Sequence, residues 1–238
     1  RMGEVRGVAF GLALLVLLLS VRTVSRNGQW GKPISLFQND ARQYPNGEKN
    51  WFLLGYAYSE RGMAGQAIRA YKTGLAISHN HAYAWSGLGE ALSMAGRDEE
   101  AEKSFLKAIA IVPENPWLHY VLGIHRLKMG KIKAAIVALN RAVSLTPPIP
   151  MAYHVLGSAY LRQGKTDKAE RAFRKALSIL PQGREIHAGV HVELGKLYME
   201  QGDKNTAREE WEIALRFEPN HVEALRFLSQ RPNRGMHP

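Results

Sequence analysis

The 238-residue chain contains no cysteine. That excludes disulfides, thiol nucleophiles and cysteine-ligated zinc. Catalytic signatures are missing as well: there is no phosphate-cradling glycine loop, no G-x-S-x-G elbow and no H-E-x-x-H helix. His187 and His191 stand four apart and can share a helix face, but no third ligand accompanies them, so neither a metal nor a cofactor is expected. The carboxylate pairs Glu99-Glu100 and Glu209-Glu210 read as solvated helix faces. Acidic residues are scarce, 21 against 32 Lys and Arg, for a net charge of +11. The excess favours anionic partners or anionic lipid. It is also uneven: twelve basic residues stand between Val121 and Arg184, opposed by Asp167 and Glu170 alone. Apolar residues make up 45% of the chain, enough for one sizeable core or one repeat array.

A repeat is present. Leu-Gly recurs at Leu54-Gly55, Leu88-Gly89, Leu122-Gly123, Leu156-Gly157 and Leu194-Gly195, at spacings of 34, 34, 34 and 38. Twelve residues after each glycine comes an alanine: Ala67, Ala101, Ala135, Ala169 and Ala207. Four further on stands a large apolar residue: Tyr71, Phe105, Leu139, Phe173 and Trp211. Pro113, Pro147, Pro181 and Pro219 close the later units, with His79 in the first such slot.

This pattern resembles the tetratricopeptide repeat over residues 47–220. The resemblance implies two helices per unit and an all-α, right-handed α-solenoid. The glycine of each Leu-Gly pair is expected where a second backbone comes close, with the alanine as the other small surface. Gly62, Gly96, Gly130, Gly164 and Gly202 mark the turns, and proline stops each second helix. Five repeats are expected at 48–81, 82–115, 116–149, 150–187 and 188–221. Residues 26–47 form a junction and partial repeat, with Pro33 to Pro45 as a lone second helix. Residues 222–238 form a capping helix and loose tail, with Leu225 and Leu228 inward. Four extra residues within Gln182 to His187 are read as a longer turn.

In this repeat family the first helices line a concave groove that binds extended peptide, through the second, fifth and ninth positions of each unit. The groove residues implied are Lys49, Phe52, Tyr56, Tyr83, Glu90, Trp117, Tyr120, Ile124, Met151, His154, Ser158, Val192 and Lys196. Aromatic residues there offer large contact area at small entropic cost. A familiar subset clamps a partner's terminal carboxylate with lysine and asparagine, but Tyr56 and Gly87 stand where asparagines are needed, so that mode is not expected. Lys131, Lys133, Lys165, Lys168, Arg171, Arg174 and Lys175 fall on second helices. They read as a solvated face, or as an anionic-ligand patch for phosphate or lipid headgroups. Nucleic acid is disfavoured, because no aromatic residues interleave there.

Gly7 to Val21 is uncharged and almost wholly apolar. Its 15 residues span about 22 Å as a helix, and Arg6 and Arg22 can snorkel to extend it across a bilayer. A membrane helix within residues 1–25 is therefore expected, with a cleaved signal peptide as the competing reading. Arg22-Thr23, Arg26-Asn27, Trp30 and Ser35-Leu36-Phe37 resemble the junction in transmembrane-and-tetratricopeptide proteins, including O-mannosyltransferase-like membrane proteins. That resemblance implies an array on the periplasmic or lumenal side and a catalytic part upstream of this chain. Two functional readings result. One is a membrane-tethered, non-catalytic scaffold that binds a protein or extended peptide. The other is the acceptor-presenting C-terminal domain of a polytopic glycosyltransferase.

Overall fold

The computed structural model describes residues 33–179 and 185–229. The expected membrane run Gly7 to Val21 lies outside them, as does the junction up to residue 32. Among the described residues no helix is long and apolar enough to cross a membrane.

Every described element is helical. Helix α1 (Pro33–Gln43) precedes five hairpins: α2 (Glu48–Glu60) with α3 (Ala64–Ile77), α4 (Ala82–Met94) with α5 (Asp98–Ile111), α6 (Pro116–Lys128) with α7 (Ile132–Ser144), α8 (Pro150–Arg162) with α9 (Thr166–Ile179), and α10 (Glu185–Glu200) with α11 (Lys204–Phe217). Helix α12 (Val222–Ser229) follows. The chain divides into two compact units, one ending at Ile111 with α1 to α5 and one beginning at Val112 with α6 to α12. Within each unit a hairpin packs on the next in sequence. This is the all-α repeat architecture of the solenoid class.

The hairpins close through one device used five times. The turn glycines take positive φ, 68° at Gly62 and 74° at Gly164 among them, where a side chain would crowd the backbone. The next residue then donates its N–H to the carbonyl five back, as Met63 does to Tyr58, Arg97 to Leu92, Lys131 to Arg126, Lys165 to Tyr160 and Asp203 to Tyr198, each at 2.9 Å. This 6→1 closure satisfies a carbonyl that the helix end leaves open. Helix starts are capped where a suitable side chain stands. Asn115 accepts from the Trp117 N–H at 2.9 Å with Pro116 in the first turn, and Asp203 accepts from the Thr206 N–H at 3.1 Å.

The interior of each hairpin is a ring or branched side chain set against a glycine. A Cβ on Gly89 would stand 2.8 Å from Phe105, one on Gly123 2.6 Å from Leu139, and one on Gly157 2.5 Å from Phe173. The close neighbour is thus the large residue of the second helix, not a second backbone as the pattern suggested. Ala67, Ala101, Ala135, Ala169 and Ala207 are fully buried.

The ends differ from the sequence reading. In α12 Leu228 packs on the core as expected, but Leu225 is exposed and Ala224 and Phe227 turn inward instead. Phe227 stacks on Trp211 with centroids 4.6 Å apart. An eight-residue helix with only one small buried residue needs that ring to close the final core. Of the stretch read as a longer turn, Glu185 to His187 already belong to α10. His187 is buried and stacks on Phe217 at 4.7 Å.

Candidate functional site

The first helices contribute the candidate surface. In the unit ending at Ile111, Lys49 and Tyr56 lie seven apart on α2, and Tyr83 and Glu90 seven apart on α4, so each pair shares a helix face. Tyr56 is 57% exposed and Tyr83 59%. Phe52, expected beside them, is 8% exposed and belongs to the core. Its ring fills the space beside Gly74 and lies 4.5 Å from His81. The fifth position is rotated about 60° from the second, and in this repeat it faces Gly74 of α3 and His81 before α4. Ser86, its equivalent in the next repeat, is also buried. Leu53 is exposed instead, and only its packing environment reveals that.

Tyr71 organises the interior behind this face. Its ring lies so close to Gly55 and Gly87 that added Cβ atoms would come within 2.9 and 2.5 Å. A side chain at position 87 would therefore meet the tyrosine tip, so the position does not suit a clamp asparagine while Tyr71 keeps this place. Burial pushes the Tyr71 hydroxyl up to about 12. Glu90 is also raised above the usual carboxylate range, first by loss of water around it and then by Glu60. The sequence reading missed Glu60, whose influence depends on α2 and α4 being neighbours.

In the unit beginning at Val112, Trp117 is 39% exposed, and its ring lies 5.1 Å from that of half-buried Tyr120 at 48°. Ile124 is exposed on the same helix face as Trp117. Met151 and Ser158 are half-buried on α8. Half-buried His154 leans on Phe173 at 5.9 Å, and burial lowers its pKa. Two expected groove residues take other roles. Val192 is 1% exposed and belongs to the core. The Lys196 ammonium is bound by Glu193 at 2.9 Å and Glu223 at 3.2 Å. Burial works to lower the Lys196 pKa, but the two carboxylates outweigh it and leave it raised.

The expected basic patch is only partly available. Lys131, Lys133, Lys165, Lys168, Arg171 and Lys175 are exposed. Arg174 is engaged: its guanidinium donates to Glu170 at 2.8 Å and to the Tyr198 hydroxyl at 2.6 Å, and that hydroxyl donates to Glu170 at 2.7 Å. The Tyr198 and Arg174 bonds hold Glu170 below the usual carboxylate range. Glu210, read as solvated, is instead half-buried against His191, with 2.6 Å between its carboxylate and Nδ1. The rings of His187 and His191 both stack on Phe217. No group of three or more metal-ligating side chains occurs among the described residues.

A further set of contacts went unread in the sequence. At the fourth position of successive repeats, Trp51 donates to the Pro45 carbonyl, Trp85 to the His79 carbonyl, and the His119 ring nitrogen meets the Pro113 carbonyl, each at 2.8 Å. Each ring ties its first helix to the residue that closes the preceding element. The register of those carbonyls was visible only as a periodic proline.

Comparison with known proteins agrees with this geometry. Tetratricopeptide repeat models match residues 52–116 and 150–182. No match is found among curated proteins. Among solved structures, the chain is similar to MamA at 29% identity and TM-score 0.61, covering 70% of this chain and 95% of that one. It is similar to YrrB, described as a TPR protein with an unusual peptide-binding site, at 25% identity and TM-score 0.59, covering 80% and 96%. PilF of Pseudomonas aeruginosa shares the fold at 18% identity and TM-score 0.67, covering 88% and 93%. The repeated cores of a bulky side chain on glycine, the five identical turn closures and these matches have one common meaning: the chain contains tetratricopeptide repeats.

Proposed function

We propose that this chain is a non-catalytic scaffold that binds extended polypeptide along the open faces of its first helices. The observation that carries the reading is the exposure of large side chains at the second and ninth positions: Tyr56 and Tyr83 in one unit, Trp117 and Ile124 in the other. Rings held on helices supply contact area without loop-ordering cost. Glu90 adds an acidic group that favours a cationic residue in the bound segment. The similarity to YrrB, with its peptide-binding site, supports the same class of partner.

The test is selection of binding peptides from a random library on the full chain, followed by affinity measurement on variants. Tyr56→Ala with Tyr83→Ala, or Trp117→Ala, is expected to weaken a selected peptide about tenfold or more. Leu106→Ala, an exposed position on a second helix, should leave it unchanged. Equal loss at Leu106, or none at the aromatics, removes the reading.

The run Gly7 to Val21 is proposed as the tether, holding the array on the periplasmic or lumenal side. Retention of the chain in carbonate-washed membranes tests it, and release into the wash opposes it. The acceptor-presenting reading rests on the junction motif. Within that motif Leu36 is buried in the core at α1, so part of the resemblance has a packing cause. Hydrophobic spans encoded upstream of Arg1 would favour that reading.

A further inference from the structure

A concavity lined by neither Tyr56 nor Tyr83 lies in the unit ending at Ile111. It has a volume of about 350 Å³ and is formed by α3, α4 and α5. Leu75, Leu88 and Leu92 make its apolar floor, and Trp85 forms a wall. Lys72, Lys103 and Lys107 stand around it.

Three features make this more than a surface dent. First, the Trp85 ring is fixed, because its N–H is held by the His79 carbonyl at 2.8 Å. It therefore presents a preset apolar face. Second, the charges converge. The unit has eight basic and eight acidic residues over 33–111, yet three of the eight basic side chains border this one concavity. Lys107 sits 4.2 Å over the Trp85 ring, and Lys72 and Lys103 form no ion pair among the described residues. Third, the one carboxylate in the lining does not neutralise them. Glu100 is held by Arg97 through two bonds of 2.7 Å. An apolar floor with a few charged groups of one sign is the composition of a small-ligand site, and the sign selects an anion.

We infer that this concavity is a binding site for a small organic anion: an apolar, flat or aliphatic body on Leu88, Leu92 and Trp85, with a carboxylate, sulfonate or phosphate head among Lys72, Lys103 and Lys107. It is independent of the peptide-binding face, since neither Tyr56 nor Tyr83 lines it.

Naphthalenesulfonate is the probe, titrated into the full chain while the isotope-labelled indole N–H resonances of its five tryptophans are followed. Trp85 is assigned from Trp85→Phe. The Trp85 resonance should shift saturably. Neutral naphthalenemethanol should bind about tenfold more weakly, because it lacks the head that the ammonium groups recognise. Lys72→Gln with Lys103→Gln should weaken the sulfonate about fivefold, the effect of two exposed charge pairs. These lysines are exposed, so the variant should keep the parent melting curve. Lys131→Gln with Lys133→Gln, and Tyr56→Ala with Tyr83→Ala, should bind the sulfonate as the parent does. The inference is overturned by absence of binding, by equal affinity for the alcohol, by an unaffected Lys72/Lys103 variant, or by a response at other tryptophans instead of Trp85. None of these outcomes bears on peptide binding.

Discussion

At the scale of single residues, two glycines in the same hairpin matter for different reasons. Gly157 faces the Phe173 ring, and a Cβ there would stand 2.5 Å away. Alanine is the better helix former by about 1 kcal/mol, but the overlap costs about 1–3 kcal/mol. Gly157→Ala is thus expected to destabilise, with partial rescue by Phe173→Leu in a double-mutant cycle under denaturant. Additive single effects would show that the ring is not the obstacle. Gly164 has φ of 74°, and a Cβ there would meet nothing within 4 Å. Gly164→Ala should cost about 1–2 kcal/mol through the backbone alone, and Gly164→Asn less. Equal cost for Ala and Asn would speak against a left-handed turn.

Titration at two carboxylates has opposite signs. Glu170 is held below its ordinary pKa by Tyr198 and Arg174. The stability it contributes is present above the unfolded carboxylate pKa and is lost as pH falls through the depressed folded value. Tyr198→Phe should therefore lower the midpoint of denaturant unfolding above about pH 5, with the difference closing in acid. A difference independent of pH would assign the effect to packing. Glu90 is raised. Its charge opposes the fold at neutral pH, and proton uptake favours the fold as pH falls through the raised value. Glu90→Gln should raise the melting temperature at pH 7 and lose that advantage in acid. A lower melting temperature at pH 7 would contradict the assignment.

At the scale of elements, much was legible because the repeat encodes it. Helix pairs, turn glycines and buried alanines each depend on local backbone geometry or on small volume at a fixed register, and register is visible in one chain. The fifth-position residues were not legible. Phe52 and Val192 share the periodicity of exposed Tyr56 and Tyr83, yet Phe52 packs beside Gly74 and His81 and Val192 joins the core cluster. Likewise α12 has apolar residues on more than one side, and the partner ring Trp211 selected Phe227 over Leu225. The fourth-position rings provide a test of how hairpins are joined. Trp51→Phe keeps the ring and removes the bond to the Pro45 carbonyl. A loss of about 0.5–1 kcal/mol is expected for this exposed hydrogen bond, with faster amide exchange in α1 than in α3. Uniform acceleration across both helices would show that the bond does not couple α1 to its neighbour.

At the scale of the whole molecule, repeat arrays derive stability from each unit and its nearest neighbours. Phe173 is fully buried in a cluster with Leu194, Leu197 and Trp211. Phe173→Ala should cost about 3–5 kcal/mol, and the lost amide protection should be greatest in α8 to α11 and least in α2 and α3. Equal loss throughout would mean a single cooperative block. Charge is also distributed at this scale. Residues 33–111 are balanced, while the basic excess of the folded region falls after Val112. Even so, the structure withdraws Arg174 and Lys196 from the free cations by pairing them with carboxylates.

The sequence by itself determined the repeat period, the helical class, the turn positions and the small residues of each interior. These follow from rules acting within one hairpin, where spacing along the chain is also spacing in space. Which rings face solvent, which cations remain unpaired, and where lysines from α3 and α5 meet beside Trp85 were decided by tertiary structure alone. Each depends on residues brought together from different helices, and no single periodicity records that meeting.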